Sequence, residues 1–176
     1  MKLKNLFIGL CAMSLLLPPL AEAQAKPRTL TLTIGNGYIF FAPRRDLQNT
    51  WLPLSGALTY NFSEIWAIEL AADIINANSG EPAQHHVHGL LTMLDALFRF
   101  HPLPYFEPYL LAGLGVMGIK PAGTESIQQG GMNAGLGVQL FQSDHVAFNA
   151  EARDIYTFVG GKNDVLLNLG ISFLWD

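Results

Sequence analysis

The sequence is poor in cysteine and in charge. Its one cysteine is Cys11, and only 14% of its 176 residues are Asp, Glu, Lys or Arg. A lone thiol excludes a disulfide framework and a cysteine-based zinc site. The formal net charge of −4 argues against nucleic acid as a partner.

Long hydrophobic runs are also lacking, although half of the residues are hydrophobic. The apolar run at residues 6–17 is shorter than the ~18 residues that a membrane-spanning helix needs. Lys2 and Lys4 precede this run, and small residues including Ala23 and Ala25 follow it. This pattern is typical of a secretory signal peptide, and it predicts cleavage after Ala23 or Ala25.

Removal of residues 1–25 would leave a mature chain without cysteine and would change the net charge from −4 to −5. Residues 26–176 are enough for one domain. A membrane anchor is disfavoured because the apolar run is short. A lipoprotein modified at Cys11 is disfavoured because Leu10 stands where a small residue is required.

The mature sequence alternates with a period of two residues rather than 3.6. In Thr29–Phe40, large apolar residues such as Leu30 and Ile34 share one face, and small or polar residues such as Thr31 and Gly35 share the other. A soluble sandwich would turn the large face inward. A membrane barrel turns it towards lipid and lines its lumen with the polar face.

The number and length of the strands favour the barrel. The pattern predicts eight strands, at residues 29–41, 51–61, 65–75, 86–100, 106–118, 131–141, 145–156 and 165–175. Each has the ~10 residues that a tilted strand needs to cross a bilayer. Short turns at 61–64, 101–105 and 141–144 alternate with longer links at 42–50, 76–85, 119–130 and 157–164. We therefore predict an all-β fold, an eight-stranded antiparallel up-and-down transmembrane β-barrel with four extracellular loops.

Aromatic residues concentrate near the ends of the predicted strands, where a membrane barrel places its interfacial girdles. The short-turn end has Tyr60, Trp66, Phe98, Phe100, Phe173 and Trp175, and the long-loop end has Tyr38, Phe40 and Tyr156.

The last strand, LLNLGISFLWD, combines a polar residue, a glycine and two aromatic residues at Asn168, Gly170, Phe173 and Trp175. This spacing resembles the C-terminal assembly signal of outer-membrane barrels, and the resemblance implies recognition by the barrel assembly machinery. Asp176 departs from the pattern, since such chains commonly end on the aromatic residue.

Two stretches resemble the N-terminal membrane domain of OmpA-like proteins. They are LDALFRFHPLPYFEPYLLAGLGV at residues 94–116 and GMNAGLGVQLFQSDHVAFNAEARDIY at residues 131–156. The resemblance implies an outer-membrane location, with outer-membrane lipid and lipopolysaccharide as surroundings. OmpA proteins often carry a peptidoglycan-binding domain after the barrel, and we do not transfer that role to this chain.

Six charged residues are predicted to face the lumen: Glu69, Asp73, Asp95, Arg99, Glu151 and Arg153. One register of strands three and four would place Glu69 opposite Arg99 and Asp73 opposite Asp95. Side chains just fill the interior of an eight-stranded barrel, and buried charges must be paired. OmpA-like barrels are similar in holding such a network.

The favoured interpretation is a plug that closes the lumen, and the alternative is a gate. The six residues sum to −2, so an opened pore would prefer cations. Strand 106–118 has apolar residues on both faces, which leaves its orientation open. Leu91 and Met93 are predicted to face the lumen, as a small hydrophobic interior site or through a register shift at a bulge.

Two other kinds of site are disfavoured. His85, His86 and His88 cluster before strand four, but no carboxylate with clear ligand spacing joins them, so we interpret them as a polar loop edge. A lipid A-modifying enzyme needs a lipid-facing nucleophile and base. The polar residues predicted to face lipid are Asn36, His88, Thr92 and Asp154, with no serine, because Ser55 and Ser172 are predicted to face the lumen.

The sequence therefore predicts a non-enzymatic barrel without a cofactor, in a structural or surface-contact role. The first alternative is a small cation-preferring pore, and a lipid A-modifying enzyme is the least favoured. The extracellular partner of the loops is not identified by any motif.

Overall fold

The computed structural model describes residues 28–80, 85–100, 105–121 and 125–175. These residues form eight strands and one short 3-10 helix, Pro43–Arg45. The strands are β1 (Thr29–Phe40), β2 (Thr50–Asn61), β3 (Trp66–Asn78), β4 (His86–Arg99), β5 (Phe106–Pro121), β6 (Ile127–Ser143), β7 (Val146–Thr157) and β8 (Lys162–Trp175). The predicted signal peptide, the start of the turn at 101–105 and Asp176 lie outside the described residues.

Each strand pairs antiparallel with its neighbour in the chain, and β8 pairs with β1 to close the barrel. The closing pair includes Thr33 opposite Ser172 and Gly35 opposite Gly170. Closure leaves no strand edge with unpaired backbone groups, which a bilayer core would not tolerate. The predicted fold class, an eight-stranded antiparallel up-and-down barrel, is confirmed.

The outer wall is apolar and the interior is partly polar, the reverse of a soluble domain. Leu70 and Leu136 are 55% and 61% exposed, whereas Thr31 and Arg153 are buried. Apart from one interruption in β2, alternate residues of each strand thus face lipid and lumen. No helix among the described residues is long and apolar enough to cross a membrane.

Aromatic side chains on the outer wall pair across neighbouring strands near both ends of the barrel. Tyr38 and Trp51 lie opposite each other at the long-loop end, with ring centroids 5.2 Å apart. Trp66 and Phe98 do the same at the short-turn end, at 5.1 Å. Such edge-to-face pairs stabilise the wall beyond the area that they bury.

A β-bulge interrupts the alternation in β2. Gly35 lies opposite Ser55, but Gly37 lies opposite Leu52, so Asn36 faces two residues, Pro53 and Leu54. A bulge accommodates proline, which has no backbone N–H to donate to the ladder. The extra residue allows Leu52 and Ser55, three positions apart, both to point into the lumen, where both are buried.

The links at the long-loop end are shorter than predicted. β5 continues to Pro121 and β6 already begins at Ile127, where the prediction placed a loop at 119–130. β3 likewise continues to Asn78, and β8 begins at Lys162 rather than at 165. The prediction was wrong there because hairpin pairing continues beyond the ~10 residues that cross the bilayer. In β5 the odd-numbered residues, including Glu107 and Tyr109, face the lumen.

We predict that Gly113→Val, on the lumen side of β5, lowers the free energy of unfolding by about 1–3 kcal/mol. A Cβ at this position would meet the backbone of β4, including Asp95 Cα at 2.7 Å. Gly118 on the same strand is the control, since Leu90 O at 3.7 Å is the neighbour that its Cβ would meet. Reversible urea titration in phospholipid vesicles measures both variants, and equal losses would contradict the prediction.

Candidate functional site

The candidate site is the barrel interior, because most of the charged side chains of the wall point there. It contains a layer of charged residues near mid-height, which we name the central charge layer: Glu69, Asp73, Asp95, Glu151 and Arg153. Each of these five residues is at most 9% exposed.

Arg153 is the centre of this layer. Its guanidinium reaches across the lumen from β7 to β3 and β4, with Nη2 2.6 Å from Glu69 Oε1 and Nη1 2.5 Å from Asp95 Oδ2. Its Nε donates to Glu151 on the same strand. One planar guanidinium therefore joins three carboxylates, an arrangement for which its fixed fork of donors is suited.

Each of the three carboxylates also accepts a hydrogen bond from a neutral side chain. Thr59 donates to Glu69 at 2.7 Å, and Asn133 donates to Asp95 at 2.7 Å. Tyr109 donates to Glu151 at 2.9 Å and in turn accepts a hydrogen bond from Asn149 at 2.8 Å. These donors hold the carboxylates in place around Arg153.

The register of β3 and β4 differs from the one considered for the sequence. Glu69 lies opposite Asp95, not Arg99, and Asp73 lies opposite Leu91, not Asp95. Two carboxylates in directly opposed positions repel each other. Arg153 contacts both carboxylates from the opposite wall and so offsets this repulsion.

Arg99 lies apart from the central charge layer, near the short-turn end. Its Nε is 2.7 Å from Glu107 Oε1, and both side chains are almost fully buried. The distance is that of an ion pair, although Arg99 Nε lacks hydrogen-bond geometry there. Glu107 was not among the predicted interior charges, because the apolar residues on both faces of β5 concealed its orientation.

Asp73 belongs to the central charge layer but does not contact Arg153. Asn168 Nδ2 donates to Asp73 Oδ1 over a long 3.4 Å, and Ser55, directly opposite on β2, donates to Asn168 at 3.2 Å. Asp73 Oδ2 has no hydrogen-bond partner among the described residues. Asp73, Ser55 and Asn168 line a cavity of about 30 Å³.

The upper lumen is filled by apolar side chains, which we name the apolar layer: Ile39, Phe41, Leu52, Ala71, Ile75, Ala77, Leu91, Met93, Met117, Ile155 and Leu166. Met93 Sδ lies 3.6 Å from Arg153 Nη1, so this layer rests directly on the central charge layer. The lumen-facing Leu91 and Met93 are therefore part of a hydrophobic filling.

Arg45 closes the long-loop end from the 3-10 helix in the first loop. Its Nη2 is 2.6 Å from Asp164 Oδ2, and its side chain is only 2% exposed. It also donates to Gln129 and Thr157, both at 2.9 Å. Leu47, in the same loop, packs against the apolar layer. Arg45 and Asp164 were missed because both fell in segments predicted to be exposed loops.

The histidine cluster remains at the outer edge. His85, His86 and His88 are exposed, and His88 Nδ1 contacts Asn76 Oδ1 at 2.8 Å. Among the described residues, no group of three or more His, Cys, Asp or Glu side chains is placed to hold a metal ion.

The lipid-facing polar residues divide between two places: His88 and Thr92 line one open depression on the outer wall together with Lys120 and Ser126, whereas Asp154 lies apart on β7. His88 and Asp154 lie on β4 and β7, and Asp154 accepts a hydrogen bond from Asn163 at 3.5 Å. Thr92 donates to its neighbour Val116 O at 3.4 Å, and Asn36 lies at the bulge of β1 with β2. Ser55 and Ser172 are buried in the lumen.

The residues of the predicted assembly signal divide between the two faces of β8. Asn168 contacts Asp73 and Ser55 in the lumen, and Gly170 lies opposite Gly35 of β1. Phe173 and Trp175 are exposed on the outer wall at the short-turn end.

Comparison with solved structures shows the same architecture. The N-terminal β-barrel domain of Pseudomonas aeruginosa OprF superimposes with a TM-score of 0.60 at 20% identity, covering 85% of this chain and 98% of that chain. Pseudomonas aeruginosa OprG gives a TM-score of 0.66 at 13% identity, with 88% and 99% coverage. Ail of Yersinia pestis gives 0.57 at 17%, with 85% and 99% coverage. At these identities the likeness shows the fold alone.

No curated protein matches the sequence significantly. A family model described as outer membrane protein beta-barrel domain matches residues 7–175. This match and the eight-stranded neighbours confirm the resemblance that the sequence suggested. Because the model covers nearly the whole chain, the protein belongs to the outer membrane β-barrel family and is located in the outer membrane.

Proposed function

We propose that the protein, exported and cleaved of residues 1–25, is a closed, non-enzymatic barrel that anchors in the outer membrane and presents four extracellular loops to an unidentified partner. Its surroundings would be outer-membrane lipid and lipopolysaccharide, and the barrel assembly machinery would insert it through the last strand. The observation that carries the proposal is the filled lumen.

Three successive barriers support a closed lumen. The lowest is the central charge layer, where one guanidinium joins carboxylates from opposite walls. The apolar layer lies above it and offers no hydrogen bonds to water. The side chain of Arg45, held by Asp164, Gln129 and Thr157, covers the top. An ion would have to displace all three barriers to cross.

The surface role rests on the segments at the long-loop end. The first loop carries exposed Arg44, and the β7–β8 tip carries Phe158 and Val159, which are 56% and 57% exposed. These groups extend beyond the barrel interior and are available for contact. The separation of Asp154 on β7 from His88 and Thr92 on β4 supports the non-enzymatic interpretation over lipid A modification.

A small cation-preferring pore is the second candidate, and the excess of interior carboxylates favours it. Asp73 and the three carboxylates that contact Arg153 outnumber the single guanidinium of their layer. If the barriers opened, this excess negative charge would favour cations over anions.

We predict that the wild-type barrel is silent in a planar bilayer and that Arg153→Ala produces discrete cation-selective openings. Loss of the guanidinium leaves four carboxylates without a counter-charge, so water enters and the layer swells. Single-channel conductance measures the effect, with heat-dependent gel mobility as the check of folding. Arg44→Ala, at an exposed loop arginine, is the matched control and stays silent.

The pore alternative would replace the closed-barrel proposal if the wild-type barrel opened as often as the Arg153→Ala variant. A silent wild-type barrel, with openings seen only in Arg153→Ala, would support the closed-barrel proposal.

We also predict that Arg45→Ala lowers the free energy of unfolding by about 3–5 kcal/mol, since it leaves Asp164 buried without its partner. The adjacent Arg44→Ala should change it by less than about 0.5 kcal/mol, because Arg44 is exposed. Urea titration in vesicles compares the two variants. Equal losses of stability in the two variants would contradict the prediction that the contact between Arg45 and Asp164 stabilises the barrel.

A further inference from the structure

The central charge layer is not electrically balanced. Glu69, Asp95 and Glu151 share Arg153, and Asp73 adds a fourth carboxylate that makes no ion pair with a described residue. With every carboxylate ionised, the layer carries a net charge of −3. Uncompensated buried charges cost a large fraction of the stability of a domain.

The other interior arginines cannot supply the missing positive charge. Arg99 is paired with Glu107 near the short-turn end, and Arg45 is paired with Asp164 at the rim. The apolar layer lies between Arg45 and the central charge layer. Positive charge must therefore come from outside the chain, as protons or as a bound cation.

Asp73 provides a specific place for such a cation. The residue is 1% exposed, its Oδ2 has no hydrogen-bond partner among the described residues, and it lines the cavity of about 30 Å³. A space of that size holds one water-sized particle. Ser55, Asn168 and Thr33 bring neutral oxygen atoms to the same cavity. Glu69 and Glu151 also line it, together with Arg153, which pairs with both of them.

We propose that this cavity binds one small monovalent metal cation, such as Na⁺, against Asp73 Oδ2. Hard cations prefer oxygen ligands, and the wall offers a carboxylate, hydroxyl groups and a side-chain amide. Glu69 and Glu151 are already engaged by Arg153, so Asp73 is the carboxylate left to bind. A monovalent ion matches a single available carboxylate, whereas Mg²⁺ keeps a shell of waters that the cavity cannot hold.

The test measures folding stability against Na⁺ concentration at constant ionic strength. The wild-type barrel is titrated reversibly with urea in zwitterionic phospholipid vesicles, with tetramethylammonium chloride replacing NaCl. Binding of one ion to the folded state should raise the folding equilibrium constant about tenfold for each tenfold rise in Na⁺ above the dissociation constant. Asp73→Asn should abolish this dependence.

Asp154→Asn is the matched control, because Asp154 faces outward on β7 and contacts Asn163 rather than the lumen. It should retain the wild-type Na⁺ dependence. If the folding stability of the wild-type barrel did not depend on Na⁺ concentration, the proposal would be wrong. Protons would then neutralise the central charge layer. Equal Na⁺ dependence in Asp73→Asn would overturn it as well, because the ion would then bind elsewhere.

A second measurement covers the case in which Asp73→Asn does not fold. Crystals of the wild-type barrel soaked in thallous ion should give an anomalous peak in the cavity lined by Asp73, Ser55 and Asn168. A map with no peak in this cavity would contradict the proposal.

Discussion

The backbone of this protein must satisfy every hydrogen bond within the chain, because the bilayer core offers none. The pairing of β8 with β1 completes that requirement, from Leu30 opposite Trp175 to Phe40 opposite Val165. Once the ring is closed, each strand has one face to lipid and one to a lumen that eight strands keep narrow. The composition of both faces follows from this constraint, and so does the need to fill the interior.

The filling is asymmetric along the barrel axis. Apolar residues fill the half beneath the first loop, while carboxylates, amides and hydroxyl groups fill the middle around Arg153. Polar groups are tolerated inside where they have partners. Amide oxygens of Asn61, Asn133 and Gln139 also lack a hydrogen bond among the described residues, but Asp73 Oδ2 belongs to a carboxylate that lines a cavity. The interior thus combines a rigid ion-paired centre with a small space beside it.

The alternation of residues predicted the eight strands and the orientation of most of them, because burial in a barrel wall follows parity. The orientation of β5 stayed open, since apolar residues lie on both of its faces. Strand ends and register were harder, because they depend on partners far along the chain: β6 starts four residues before its predicted position, and Glu69 faces Asp95 rather than Arg99. The bulge at Pro53 was missed since it appears only when two strands pair. Arg45 was missed because loop residues follow no alternating pattern from which burial could be predicted.

The contacts of Arg45 also determine which of the four loops can be replaced by protein engineering. A loop whose residues point outward can be exchanged for a foreign peptide, as is done in surface display. The first loop cannot be exchanged in full, since it contributes Arg45 to the rim and Leu47 to the apolar layer, and its backbone joins β3 through Gln48 N and Asn78 O at 2.9 Å. The β7–β8 tip, with exposed Phe158 and Val159, is the better insertion point for a graft.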